Sequence, residues 1–233
     1  NNEINDDYRL DIANTSEIKK IIYNHKPEFI FHLAAQPIVL ESYNNPLNTF
    51  ETNVLGTANI LDALRQINHE CIAIIITSDK AYDNVEWTYG YRETDELGGH
   101  DPYSSSKACA ELVTESYRKS YSKTGFTPLI ASARAGNVVG GGDWTSGRIV
   151  SDAVIAASKG KKLSIRNPNS SRPWQHVLEP LSGYLLLGQL LLQGKIDIAE
   201  SWNFGPALDS NLTVNDFIKL VGIGWEKVVG EVV

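Results

Sequence analysis

The sequence contains no methionine, only two cysteines, no long apolar run and no excess of positive charge. Each shortage narrows the reading. A natural full-length chain opens on an initiator methionine. With Asn1 first, the expectation is that the natural chain starts elsewhere or that residues are missing from the sequence. Cys71 and Cys109 lie in an apolar and a helical stretch, without metal-ligand spacing. They read as free buried thiols of a cytoplasmic protein, and neither a disulfide nor a metal site is expected. No apolar run approaches the roughly 18 residues of a membrane span, and a secretory leader is not expected. The formal net charge of −7 gives no electrostatic reason to expect nucleic acid or an anionic membrane as partner. A small anionic ligand stays open, because a few clustered arginines overrule the global sign.

What is present is an alternation of short apolar runs and longer helical patterns. Residues 28–35 (EFIFHLAA) read as a buried strand introduced by Pro27. Residues 46–67 read as a helix, with Leu47, Phe50, Val54, Leu55, Ala58 and Leu61 at helical spacing. Residues 71–78 (CIAIIITS) are a second buried strand, rich in β-branched residues. Residues 102–121 are a second long helix and 128–134 a third strand. This βαβαβ order predicts an α/β fold, a Rossmann-like doubly wound parallel sheet with helices on both faces. After the loop Gly140-Gly141-Gly142 the texture changes. Helices are expected over 148–159 and 180–192, a strand over 163–166 and a polar loop over 166–173. The division expected is a dinucleotide-binding part over 1–140 and a smaller mixed α/β, substrate-side lobe over 141–233, interleaved with it.

In such a fold ligands sit at the carboxyl ends of the strands, so residues there carry the chemistry. The sharpest signal is Tyr103-Ser104-Ser105-Ser106-Lys107. Asp101 reads as an N-cap and Pro102 as the first helical residue, which puts Tyr103 and Lys107 one turn apart on one face. A phenol with an ordinary pKa near 10 is a poor base at neutral pH. The helix N-terminus and a neighbouring ammonium both favour the phenolate. Such a tyrosine can take a proton from an alcohol while hydride leaves the same carbon. The spacing alone also occurs on ordinary helix surfaces. Ser78, Asp79 and Lys80 follow the second strand; read singly they are a turn serine and a solvated ion pair, read at a strand end they are a hydrogen-bond donor, an acid and a base.

Together these stretches resemble the extended short-chain dehydrogenase/reductases, the NAD-dependent epimerase/dehydratase family, and within it the 4,6-dehydratases of the CDP-sugar branch. The matching segments are HLAAQP (32–37), SYNNP (42–46), TNVLGT (52–57), TSDKAYDN (77–84), GYRETDELGGHDPYSSSKACAELV (90–113), RAGNVVGGGDW (134–144), RNPNSSRPWQHVLEPLSGYLLL (166–187) and WNFGP (202–206). The resemblance implies dehydration of CDP-glucose to a 4-keto-6-deoxy sugar in deoxysugar biosynthesis, with NAD as cofactor. Tyr103 would deprotonate the hydroxyl on sugar carbon 4, Lys107 would lower the tyrosine pKa and hold the nicotinamide ribose, and Ser78 would hydrogen-bond the carbon 4 oxygen. Lys80 would take the proton from carbon 5, and Asp79 would protonate the hydroxyl leaving carbon 6. Asp11 and Ile12 match an adenine contact, Leu33, Ala34 and Ala35 would line the dinucleotide, and Gln36 would point to the sugar. Asn53 would support the catalytic loop, or is an ordinary buried amide. Asn137, Arg148, Arg166, Arg172 and His176 would surround the CDP part, arginine forks suiting a diphosphate; each arginine alone is also a common surface residue. Trp87, Trp144 and Trp174 read as packing residues, with stacking on cytosine as the alternative. A homodimer through the 46–67 and Tyr103 helices is implied.

The sequence also departs from the family. No glycine precedes Gly56, so the glycine-rich phosphate turn expected upstream of Asp11 is not among these residues. Leu40 stands where relatives tend to carry Arg, and the match fades after Pro206, with 222–233 unlike a continuation. Two rivals remain at this point: a sugar-nucleotide 4-epimerase, which shares Tyr103 and Lys107 but has no use for an elimination pair, and a non-catalytic nucleotide-binding fragment.

Overall fold

The structure, a computed structural model, describes residues 5–121, 128–207 and 210–232. Along the chain run α1 (Thr15–His25), β1 (Phe29–His32), α2 (Val39–Asn44), α3 (Pro46–Phe50), a π-helical turn (Glu51–Leu55), α4 (Gly56–Leu64), β2 (Ile72–Ile76), a 3-10 turn (Asp79–Ala81), α5 (Pro102–Tyr121) and β3 (Leu129–Ala135). Then follow β4 (Val138–Val139), α6 (Ile149–Ser158), β5 (Leu163–Ile165), β6 (Ser171–Pro173), β7 (Gln175–His176), α7 (Leu178–Leu192), β8 (Ser201–Phe204), β9 (Asn211–Thr213), α8 (Val214–Gly224) and β10 (Gly230–Val232). The chain divides into two compact units, Asn1–Arg134 with Leu186–Trp202, and Ala135–Leu185 with Asn203–Val233.

The first unit is built on a sheet of order β1-β2-β3-β8. β1 runs parallel to β2, pairing Phe29 with Ile72 and His32 with Ile75, and β2 runs parallel to β3, pairing Ile72 with Leu129 and Ile76 with Ala133. Ala73 and Ile75 of β2 point into a core with Ile18 and Ile22 of α1, Leu61 and Leu64 of α4 and Ile130 of β3. Successive strand residues face opposite ways, so Phe29 and Phe31 turn to the other face, where Gly188 of α7 lies against both. Both faces are therefore covered, which explains why β2 reads as a continuous apolar run and not an alternating one. Cys71 and Cys109 are free thiols; burial pushes the Cys71 thiol up to about 12, which keeps it inert.

The expected elements form, with three informative shifts. β1 stops at His32, because Leu33 and Ala34 leave the sheet and are exposed. The 46–67 helix is one continuous run to Leu64 but carries the π turn at Glu51–Leu55. In the expected polar loop, Ser171–Pro173 forms a short strand antiparallel to β9. α1, α2 and the 3-10 turn were not legible as separate elements, being short or only weakly patterned.

A buried ion pair fastens the sheet to α5. Glu111 of α5 is 1% exposed and accepts from Arg134 Nη2 of β3 at 2.8 Å, Ser132 Oγ at 2.8 Å and Ser201 Oγ at 3.2 Å. The Thr77 hydroxyl, just past β2, also donates to it. Arg134 in turn donates to the Tyr82 hydroxyl at 2.7 Å and lies over the Tyr82 ring.

In the second unit Ala153 and Ala157 of α6, Leu163 and Ile165 of β5, Ile218 of α8 and Val228 share a core. β10 pairs parallel with β5 and β4 with β7. Trp174 is buried and stacks on Phe217 at 3.9 Å, its indole N–H donating to Leu212 O, whereas Trp87 and Trp144 are exposed.

Leu61 is fully buried in the first core. Leu61→Ala is expected to cost about 2–5 kcal/mol of unfolding free energy, read from urea denaturation at unchanged m-value.

Candidate active site

The loop that follows β1 is held by one buried amide. Asn53, 2% exposed, accepts from the Gln36 backbone N–H at 2.8 Å and donates to Gln36 O at 3.1 Å and Ser106 Oγ at 2.8 Å. The Ser106 hydroxyl passes its own proton to Tyr103 O at 2.7 Å. Asn53 can do this because it sits in the π turn, a single widened turn of the kind often found at functional sites. Its carbonyl is satisfied by the Thr57 hydroxyl at 2.7 Å. The Gln36 side chain fastens the same loop, donating to Thr49 Oγ1 at 2.8 Å and accepting from Ile38 N–H at 2.6 Å. Asn53 is thus a buried amide whose bonds tie the Gln36 loop to α5.

The Tyr103 helix starts as its sequence predicts. Asp101 accepts from the Ser104 N–H at 2.9 Å and the Ser104 hydroxyl at 2.6 Å, and Pro102 takes the position where no N–H is needed. The Tyr103 N–H finds Ser42 Oγ at 3.2 Å. Gly99 lies so close under this first turn that a Cβ would stand 2.4 Å from Ser105 N. Tyr103 and Lys107 are both buried, 9% and 6% exposed. Burial lowers the Lys107 pKa to about 8, against the opposing charge of Glu111 one turn on. The Lys107 ammonium makes no hydrogen bond to another of the described residues. His32, at the end of β1, is pushed down to about 4 by burial and then by the Lys107 charge. Thr57 already donates to Asn53, so the His32 Nε2–H is the donor in its 3.0 Å contact with Thr57 Oγ1. The pair is thus a neutral imidazole and a buried ammonium.

Beyond β2, Ser78 caps the 3-10 turn: its hydroxyl accepts from the Lys80 N–H at 3.2 Å and donates to Asp79 Oδ1 at 3.0 Å. Asp79 and Lys80 are half-buried, and their turn packs against α5. The structure therefore brings Ser78, Asp79, Lys80, Tyr103 and Lys107 together on two adjoining elements of one unit. Nearby, Ile12 rests on Gly56, whose Cβ would come within 2.6 Å of it, and Asp11 turns its carboxylate to the Ala13 N–H at 2.9 Å.

Of the residues expected on the substrate side, Gln36 lies in the first unit, whereas Asn137, Arg148, Arg166, Arg172 and His176 lie in the second and are only partly gathered. Arg166 and Arg172 line one cavity of about 200 Å³ with Asn167, Ser170 and Asp152. Arg148 is tied to Asp143 at 2.9 Å, His176 is exposed with Nδ1 accepting from Leu178 N–H at 3.2 Å, and Asn137 O accepts from Gln175 N–H at 3.1 Å. None of these three lines that cavity. Among the described residues no group of His, Cys, Asp or Glu is placed to hold a metal ion.

Sequence reading missed Glu111, Arg134, His32 and Thr77 as members of the site's frame. The available signal was spacing: Tyr103, Lys107 and Glu111 repeat every four residues on one helix face.

His32 binds a proton less readily folded than unfolded, so the unfolded chain takes up protons first as pH falls. Its stabilising contribution is full above its ordinary pKa of 6.5 and is lost as pH drops toward about 4. Between those pH values the unfolding free energy of the parent should fall by about 3 kcal/mol more than that of His32→Asn. Parallel slopes in urea titrations across this window would contradict the assignment.

Known proteins resemble the chain in sequence and in fold. The family model described as GDP-mannose 4,6 dehydratase matches residues 3–201. The chain is 43% identical over 232 residues to a CDP-glucose 4,6-dehydratase of Salmonella typhimurium, covering 96% of this chain and 64% of that protein. It thus spans just under two thirds of the length of that curated relative. Its fold is similar to that of Pal from Bacillus thuringiensis (TM-score 0.82, 21% identity, 96% of this chain and 68% of that one). It is also similar to dTDP-glucose 4,6-dehydratase from Bacillus anthracis in complex with NAD (TM-score 0.78, 24% identity, 97% and 66%). With the family model matching most of its length, the chain belongs to the GDP-mannose 4,6 dehydratase family.

Proposed function

We propose that the protein dehydrates CDP-glucose to CDP-4-keto-6-deoxyglucose in the cytoplasm, with NAD as a hydride carrier. One observation carries this reading: the turn holding Asp79 and Lys80 packs on the helix holding Tyr103 and Lys107. Oxidation or epimerisation at carbon 4 needs only the second pair. Elimination needs an acid and a base beside it. The likeness to a CDP-glucose 4,6-dehydratase supports the choice of substrate.

The residues present suit a dinucleotide. Leu33 and Ala34 stand exposed at the carboxyl end of β1, where ligands of open parallel sheets lie, and Ala35 follows. The buried Lys107 ammonium, free of protein hydrogen bonds among the described residues, suits ribose hydroxyls. Asp11 and Ile12 are assigned to the adenine end. When bound, NAD would supply a hydride acceptor for the oxidation at sugar carbon 4 and, once reduced, a hydride donor for carbon 6.

The chain's own residues move the protons. Tyr103, favoured as phenolate by the helix N-terminus and Lys107, takes the proton of the carbon 4 hydroxyl. Ser78 donates to the carbon 4 oxygen. The ketone formed there acidifies the carbon 5 proton, which Lys80 takes, while Asp79 gives a proton to the hydroxyl leaving carbon 6 as water. Lys80 returns its proton to carbon 5, and the proton on Tyr103 passes through solvent to Asp79. The net change is loss of one water. Arg166 and Arg172 are assigned to the diphosphate, with Gln36, Asn137, Arg148 and His176 on the substrate side. A homodimer is supported by exposed Leu47 and Leu55 on the α3–α4 run and Leu112 on α5.

The test is incubation of the protein with CDP-glucose and NAD. A 4-keto-6-deoxy product supports the reading; a C4 epimer replaces it with the epimerase, and nucleotide binding without turnover replaces it with a binding fragment. Lys80→Ala should abolish dehydration while NAD titrations stay unchanged, and Tyr103→Phe should lower kcat by about 10²–10⁴. If Lys80→Ala dehydrates at near the parent rate, the base is wrongly assigned. Leu47→Glu with Leu112→Glu should convert the dimer to a monomer in light scattering.

A further inference from the structure

Lys107 is in an awkward place for a charged group. It is 6% exposed, and no described residue accepts a hydrogen bond from it. Desolvation of this kind favours the neutral amine, yet a neutral amine could neither stabilise a phenolate at Tyr103 nor act as a strong ribose donor. Something must hold the charge. The groups that surround Lys107 can be named. His32 of β1 is neutral and offers no counter-charge. The turn packed on α5 brings the side chains of Asp79 and Lys80. On α5 itself, Tyr103 lies one turn before and Glu111 one turn after, an i,i+4 neighbour with Cβ atoms about 5–6 Å apart. Glu111 is a secure anion: burial would raise its pKa, but Arg134 and the hydroxyls of Thr77 and Ser132 hold it below the ordinary carboxylate range. Arg134, from β3, meets Glu111 through Oε2.

We propose that Glu111 is a positioning residue for the reaction, the buried counter-ion that keeps Lys107 charged, and that Arg134 limits how strongly it does so. This rests on the function proposed above, since it acts through the assigned roles of Tyr103 and Lys107. It gives the ion pair a second consequence. Glu111 is shared between two cations, so the charge state of the site is set by a residue that touches neither sugar nor cofactor.

The experiment follows the charge on Lys107 directly, by NMR titration of the protein labelled with ¹³Cε-lysine, the Lys107 signal being assigned from its loss in Lys107→Arg. In Glu111→Gln the Lys107 midpoint should fall by about one pH unit or more, and the alkaline limb of kcat/KM for CDP-glucose should move down with it. Glu111→Asp, which keeps the charge, should stay close to the parent. A midpoint unmoved in folded Glu111→Gln overturns the proposal. Should that variant not fold, Arg134→Gln decides the matter: it leaves the carboxylate with its hydroxyl donors and removes the competing cation, so the Lys107 midpoint should rise. No change, or a fall, overturns the proposal equally. A parent protein that titrates as expected but does not dehydrate CDP-glucose refutes the function and leaves the counter-ion intact; dehydration without the shift refutes the counter-ion alone.

Discussion

The carboxylate of Glu111 collects donors from three strands or strand ends, Thr77 after β2, Ser132 and Arg134 on β3, and Ser201 on β8, and it is carried by α5. Most of what surrounds the candidate site depends on that meeting point. Thr77 precedes Ser78, so the end of β2 is fixed relative to the helix that carries Tyr103 and Lys107. Buried ion pairs are weak contributors to net stability, because desolvation offsets most of their attraction. Their value is in geometry: an unpaired alternative is so costly that the register of helix on sheet has little freedom.

A second fastening acts earlier along α5. Asn53 joins the loop after β1 to Ser106, one residue before Lys107. The π turn that presents Asn53 is a departure from regular helix, and its carbonyl is satisfied by Thr57, the same residue that receives His32. Backbone irregularity, a buried histidine and the first turn of the Tyr103 helix therefore belong to one hydrogen-bonded system. Groups whose protonation matters are held by groups that do not titrate in the working range.

The chemistry inferred needs opposite environments a short distance apart. Lys107 is deep, desolvated and faced by a neutral imidazole. Asp79 and Lys80 sit half-buried on a turn at the carboxyl end of β2. A hydride step wants the first setting, where water is excluded and charge is felt strongly. Proton exchange with solvent wants the second.

By itself the sequence determined the parallel sheet, through its continuous β-branched strands, and the start of α5, through Asp101, Pro102 and the Tyr103–Lys107 spacing. These are local or periodic signals, and they carry the candidate site residues and the family resemblance with them. It did not determine what Asn53 does, that Gln36 fastens a loop, or that Glu111 and Arg134 meet across 23 residues. It also did not show that Arg166 and Arg172 share a cavity from which Arg148 and His176 stand apart. Those facts belong to the tertiary structure alone. A buried polar side chain has no periodic signature, and which partner satisfies it is decided only when strands and helices distant in sequence are packed together.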